Sequence, residues 1–165
     1  MNQLPYDFFL SETDDSIYGF TTLNFIDYQV KFKNTSYLFD GYLNKNIAAY
    51  EMVIQVAYNP TSQRPPLDPR VAVTVAAIFY DFMNRNNEQV VVYICDSSDS
   101  KQAARHRKFL QWFDLFGSLD FVKINANIID HKLVVYYTSL IIHKSNPKRI
   151  LLTEAFIALT DDQQK

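Results

Sequence analysis

The stretch Phe25-Ile26-Asp27-Tyr28-Gln29-Val30-Lys31-Phe32-Lys33 decides the fold class. Ile26, Tyr28, Val30 and Phe32 alternate with Asp27, Gln29, Lys31 and Lys33. A period of two with one wet face is an antiparallel, half-buried strand. Working outward, Ser16–Thr22 reads as its hairpin partner across the short link Leu23-Asn24, and Ile47–Tyr58 as a third strand. Val90–Cys95 differs, because its apolar run is continuous. That predicts a central strand covered on both faces. Phe121–Ile129 and Lys132–His143 read as two more strands around a turn near Asp130-His131.

Three helices separate these strands. Residues 59–69 hold four of the six prolines and make a stiff connection, which ends in Asp68-Pro69, an N-cap followed by proline at the first helical position. The helix then runs to about Asn84, with Val71, Val75, Ile78 and Phe82 on one stripe and Ala72, Ala76, Phe79 and Met83 beside it. Only Arg70, Thr74, Asp81 and Arg85 mark a narrow polar strip. Ser100–Phe116 is the second helix, stopped at Gly117, with Leu110, Phe113 and Phe116 toward the core. Lys148–Leu159 is the third, with Leu151, Ala155 and Leu159 as its stripe. The order βββαβαββα predicts an α+β fold: a mainly antiparallel sheet of about six strands under one layer of three helices, hence two layers.

Bulk properties bound the rest. A chain of 165 residues is the size of one domain, read here as a single unit with its core over about 16–159 and frayed ends. Apolar residues at 48% and charged residues at 21% fit a globular protein. No apolar run reaches the roughly 18 residues of a membrane helix, so no membrane contact is expected. The start, Met1–Asp15, lacks a Lys or Arg before Phe8-Phe9-Leu10, unlike a secretory leader. One cysteine, Cys95, fits a reducing compartment such as the cytoplasm. Three glycines, Gly19, Gly41 and Gly117, are too few and too scattered for a phosphate-cradling loop. A net charge of -2 gives no global attraction to nucleic acid.

The candidate site is the corner Asp96-Ser97-Ser98-Asp99 with Lys101, Arg105, Lys108 and Trp112 along the helix that follows it. A strand end feeding a helix N-terminus directs free N–H groups to one spot and favours an anion. The opposing reading is that Asp96 and Asp99 cap the helix and occupy that spot themselves. The cations with Trp112 suit phosphates and a stacked base, or simply form a solvated face. Asp68 and Arg70 start the other helix and are a second candidate corner. No cofactor is expected, and no zinc-like histidine spacing or oxygen-rich metal loop is present.

Several of these stretches resemble one family. Pro66-Leu67-Asp68-Pro69-Arg70-Val71 is one, and Tyr93-Ile94-Cys95-Asp96-Ser97-Ser98-Asp99 with Lys101-Gln102-Ala103-Ala104-Arg105 and Arg107-Lys108-Phe109 is another. Trp112-Phe113 follows, then Ser139-Leu140-Ile141-Ile142-His143-Lys144 before Asn146-Pro147. Together they resemble domain-of-unknown-function family 6169, a bacterial family, over about Ser16–Leu159. The resemblance implies a bacterial origin and a small stand-alone domain. It brings no activity, cofactor or catalytic residue with it. The function expected from the residues is therefore a non-catalytic binding or interaction protein of the bacterial cytoplasm with a protein partner, for instance in a defence or toxin–antitoxin setting. The alternatives are an enzyme acting on a phosphorylated or nucleotide substrate, with Lys101 and Arg105 holding the anion, and a weak nucleic-acid binder.

Overall fold

The structure is a computed structural model that describes residues 3–42, 47–95, 102–117, 119–129 and 132–162, without the side chains of residues 102, 104, 105 and 162. The elements are β1 (Phe8–Leu10), β2 (Ile17–Thr21), β3 (Asp27–Asn34), a 3-10 turn (Ser36–Phe39), β4 (Ala49–Tyr58), α1 (Pro69–Met83), β5 (Val90–Ile94), α2 (Gln102–Phe116), β6 (Phe121–Ile129), β7 (Val135–His143) and α3 (Arg149–Asp162). The strands form one sheet in the order β1-β2-β3-β4-β5-β7-β6. Its pairs β1–β2, β2–β3, β5–β7 and β6–β7 are antiparallel, and β4–β5 is parallel. The fold is α+β, with the expected element order plus one strand. The addition is β1, whose three residues are too few to show a period; it is held by the pairs Phe8↔Phe20 and Leu10↔Tyr18.

The chain forms two compact units. The first comprises Met1–Lys33 and Met52–Arg85. Here the β2–β3 hairpin carries the expected alternation, with Val30 and Phe32 buried. Phe25 belongs to the turn rather than to the strand. Its φ is 58, and its N–H donates to the Thr22 carbonyl at 3.0 Å. Asp68 caps α1 as expected, accepting from the Arg70 N–H at 2.9 Å, with Pro69 at the first helical position. Phe82 of α1 stacks on Phe32 of β3 with ring centroids 3.7 Å apart. Thr74 departs from its place on the polar strip. It is fully buried, accepts from the Tyr6 N–H at 2.8 Å and donates to the Arg70 carbonyl at 2.7 Å. A threonine is small enough to sit in a core once both its hydrogen-bonding roles are met.

The second unit comprises Asn34–Glu51 and Asn86–Lys165. Its sheet strands are β5, β7 and β6 with the start of β4, in the register Ala49↔Val90, Val92↔Leu140 and Ile124↔Leu140. Leu152 and Phe156 of α3 join Val90, Val92, Leu140 and Ile142 in one core. The intervening residues face the other way. Tyr93 stacks on Phe109 of α2 at 3.9 Å, and Tyr137 stacks on His106 of α2 at 4.9 Å. In this unit α2 and α3 therefore cover opposite faces of the strands, and the single helical layer expected does not hold. The continuous apolar run of β5 already called for both faces to be covered.

The core face of α3 also differs from the expected stripe. Leu152, Ala155 and Phe156 are buried, whereas Leu151 is 53% exposed. Apolar residues lie on both sides of α3, so their periodicity does not choose a face. On α2 the deepest residue is Phe109, while Leu110, Phe113 and Phe116 are half-buried. Among the described residues no helix is long and apolar enough to cross a membrane.

Candidate functional site

In the first unit, Asp68 and Arg70 are engaged by their own chain. The Tyr6 hydroxyl donates to Asp68 Oδ2 at 2.6 Å, while Asp68 Oδ1 accepts the helix N–H. Arg70 Nε donates to the Leu4 carbonyl at 3.1 Å and Nη2 to the Pro5 carbonyl at 3.2 Å, with the guanidinium 3.9 Å from the Tyr6 ring centroid. Burial and the bond to Asp68 raise the Tyr6 pKa, so the phenol stays protonated and donating. The corner works as a clamp on residues 4–6.

A second network lies on the polar strip of the same helix. Tyr18, buried on β2, donates to Asp81 Oδ2 at 2.5 Å, and Arg85 Nη2 donates to the Tyr18 hydroxyl. Arg85 also pairs with Asp81 at 3.1 Å and caps the Asp15 carbonyl at 2.6 Å. Burial, then the bond to Asp81, push the Tyr18 phenol well above its ordinary value of 10.0. The sequence signal was the opposite-charge pair at i, i+4; its buried tyrosine partner left no mark.

In the second unit, Asp96, Ser97, Ser98, Asp99 and Lys101 lie outside the described residues, as does the side chain of Arg105. Lys108 and Trp112 do come together, on the same side of α2. The Lys108 Nζ is 5.2 Å from the Trp112 ring centroid, with the lysine exposed and the indole half-buried. Such an exposed contact contributes about 0.5–1 kcal/mol.

Sequence reasoning missed the more unusual lysine. Lys123 stands on β6 facing α2, with only 10% of its side chain exposed. Its Nζ lies 4.7 Å from the Phe113 ring centroid and 3.9 Å from Asp114 Oδ1, a long pair to an exposed carboxylate. Burial lowers its pKa, opposed by Asp114. On the same face His106 is lowered too, first by burial and then by the charge of Lys123, and its buried Nδ1 has no hydrogen-bond partner among the described residues. Two bases are thus held with weakened proton affinity between α2 and the strands. The available signal was that Lys123 is the one charged residue in Phe121–Ile129. Cys95 is buried at the end of β5, and no group of three metal-ligating side chains occurs among the described residues.

The third arrangement is the outer face of α3. Ile150 is 69% exposed, Leu151 53% and Ile157 45%, on the side opposite Leu152, Ala155 and Phe156. At 100° per residue these three fall within one arc of about a third of a turn, shared with Ala158, Glu154 and Asp161. Glu154 makes no ion pair among the described residues.

Residues 67–158, more than half of the chain, match the model of a Family of unknown function (DUF6169). The chain belongs to that family. The DUF6169 match begins just before the α1 cap and takes in α1, β5, α2, β6, β7 and most of α3. It is narrower than the resemblance read from about Ser16, and β1 to β4 lie outside it. Lys108, Trp112, Lys123, Ile150, Leu151 and Ile157 are inside the DUF6169 segment, whereas Tyr6 and Tyr18 are not. No curated protein matches the chain.

Proposed function

We propose that the chain is a non-catalytic protein-binding domain that docks its partner on the outer face of α3. The observation that carries this reading is a helix apolar on both sides, one sealed in the core and the other holding Ile150, Leu151 and Ile157 in the open. Isolated exposed apolar residues are ordinary, but three on one arc make a patch of the kind that marks an interface. Glu154 sits within that patch and specifies the partner's chemistry. The partner presents apolar side chains around a Lys or Arg that answers Glu154. A cytoplasmic setting belongs to the same proposal and is supported by the lone, buried Cys95.

The test is a comparison of immobilised wild type with the double variant Ile150→Asp/Ile157→Asp in an extract of the source cells. Wild type retains a partner that the double variant loses while keeping its melting temperature, and Glu154→Lys weakens the same capture. Equal retention by all three proteins would falsify the assignment of this face.

A further inference from the structure

We infer that β6 is a self-association edge, through which two copies of this chain pair strand against strand, antiparallel. Among the described residues β6 stands last in the sheet, with β7 on one side only. The direction of its backbone groups follows from the ladder. The Lys144 N–H donates to the Asp120 carbonyl at 2.9 Å, so Asp120 and Lys144 form a hydrogen-bonded pair. Alternation along the antiparallel register then points Val122, Ile124, Ala126 and Ile128 at β7. It turns the N–H and C=O groups of Lys123 and Asn125 to the outside. The far side of β7 obeys the same alternation, since Cys95 N–H donates to the Tyr137 carbonyl at 2.9 Å. A nine-residue strand without proline, carrying outward-facing groups, is a template for another strand.

The side chains specify which strand. In an antiparallel pair centred on Asn125, that residue faces its own counterpart, and Lys123 faces Asn127 of the second copy. Val122 then faces Ile128, and Ile124 faces Ala126. Apolar residues meet apolar residues on the α3 face. On the α2 face Asn125 meets its own counterpart, and no like charges are opposed. A register centred on Lys123 instead would oppose two ammonium groups, which disfavours it. Self-complementarity about a two-fold axis is what an isologous dimer requires. This edge is separate from the outer face of α3, and the inference does not rest on the function proposed above.

The experiment is sedimentation velocity on the full chain across a concentration series. Wild type sediments as a dimer that dissociates on dilution. Asn125→Lys and Asn125→Asp each set like charges together on the axis and dissociate several-fold more readily, while an equimolar mixture of the two restores the dimer. Asn125→Asp keeps the acceptor for the Ser139 hydroxyl, now 2.8 Å from Asn125 Oδ1, which guards its folding. Hydrogen exchange on wild type adds a readout free of mutation: the amides of Lys123 and Asn125 slow with concentration. The inference is overturned by a wild type that stays monomeric, by variants that dimerise as tightly as wild type, or by a mixture no tighter than its components. Exchange at those amides that ignores concentration also overturns it. So does a dimer lost on Ile150→Asp/Ile157→Asp but kept on Asn125→Lys, which would assign self-association to α3.

Discussion

Helices α1 and α3 are both rich in apolar residues, yet they finish their surfaces in opposite ways. On α1 no large apolar side chain is left exposed. The polar groups along and beside it are spent on the chain's own needs: Arg70 on Leu4 and Pro5, Asp81 on Tyr18, Arg85 on Tyr18 and Asp15. On α3 the inner face is as well sealed, but the outer one leaves Ile150, Leu151 and Ile157 to solvent. The contrast teaches that apolar content alone does not mark an interface. What marks it is apolar surface left over after the core and the polar straps are complete.

The comparison breaks most sharply in the core of the first unit. Phe82→Ala removes a buried ring stacked on Phe32 and is expected to lower stability by about 3–5 kcal/mol, read from a urea midpoint at unchanged slope. A loss below about 1 kcal/mol would mean that α1 is not sealed as described.

A middle-sized effect tests the polar straps. Tyr18→Phe removes the donor to Asp81 and the acceptor for Arg85, at an expected cost of about 1 kcal/mol. The same variant reports on pH. The Tyr18 pKa is raised in the folded chain, so the folded state keeps its proton where the unfolded state loses it. Its contribution is complete below the ordinary value of 10.0 and fades as pH climbs above that toward the raised value. Tyr18→Phe flattens this alkaline decline. A slope remains, because Tyr6 and Tyr28 are raised as well. An alkaline limb identical in the two proteins would show that the phenol is not held as described.

The smallest effect belongs to α3. Ile150→Gln should change stability by no more than about 0.5 kcal/mol, because the side chain has little native contact to lose. A larger loss in thermal melts would show Ile150 to be covered in solution, which would sharpen the case for an interface.

Much of this was legible in the sequence, for identifiable reasons. The alternation of Ile26 to Phe32 gave the β2–β3 hairpin because a half-buried strand writes its own period. Asp68-Pro69 gave the start of α1 to the residue, because a cap and a fixed φ are local properties. The apolar continuity of Val90 to Cys95 foretold cover on both faces. The remainder depends on tertiary choices. Nothing local says that Thr74 will meet Tyr6 or that Arg70 will hold Leu4, 66 residues away. The rotation of α3 by one residue, from Leu151 to Leu152, follows from apolar residues standing on both sides of the helix. Lys123 looks like any strand lysine until α2 covers it. Of the candidate site, Lys108 and Trp112 came together as their i, i+4 spacing required, while Asp68 and Arg70 proved to be joined through Tyr6.

The parallel pairing of β4 with β5 has a kinetic consequence. The β2–β3 and β6–β7 ladders each join strands that lie only a few residues apart in sequence. Ala49 meets Val90 only after the whole of α1 and its proline-bearing approach have been brought around. The entropy of that closure must be met before the contact returns anything. By that measure the β2–β3 hairpin closes at little entropic cost, whereas the β4–β5 pair, and the β5–β7 pair with its still longer Val90↔Ile142 separation, close at more.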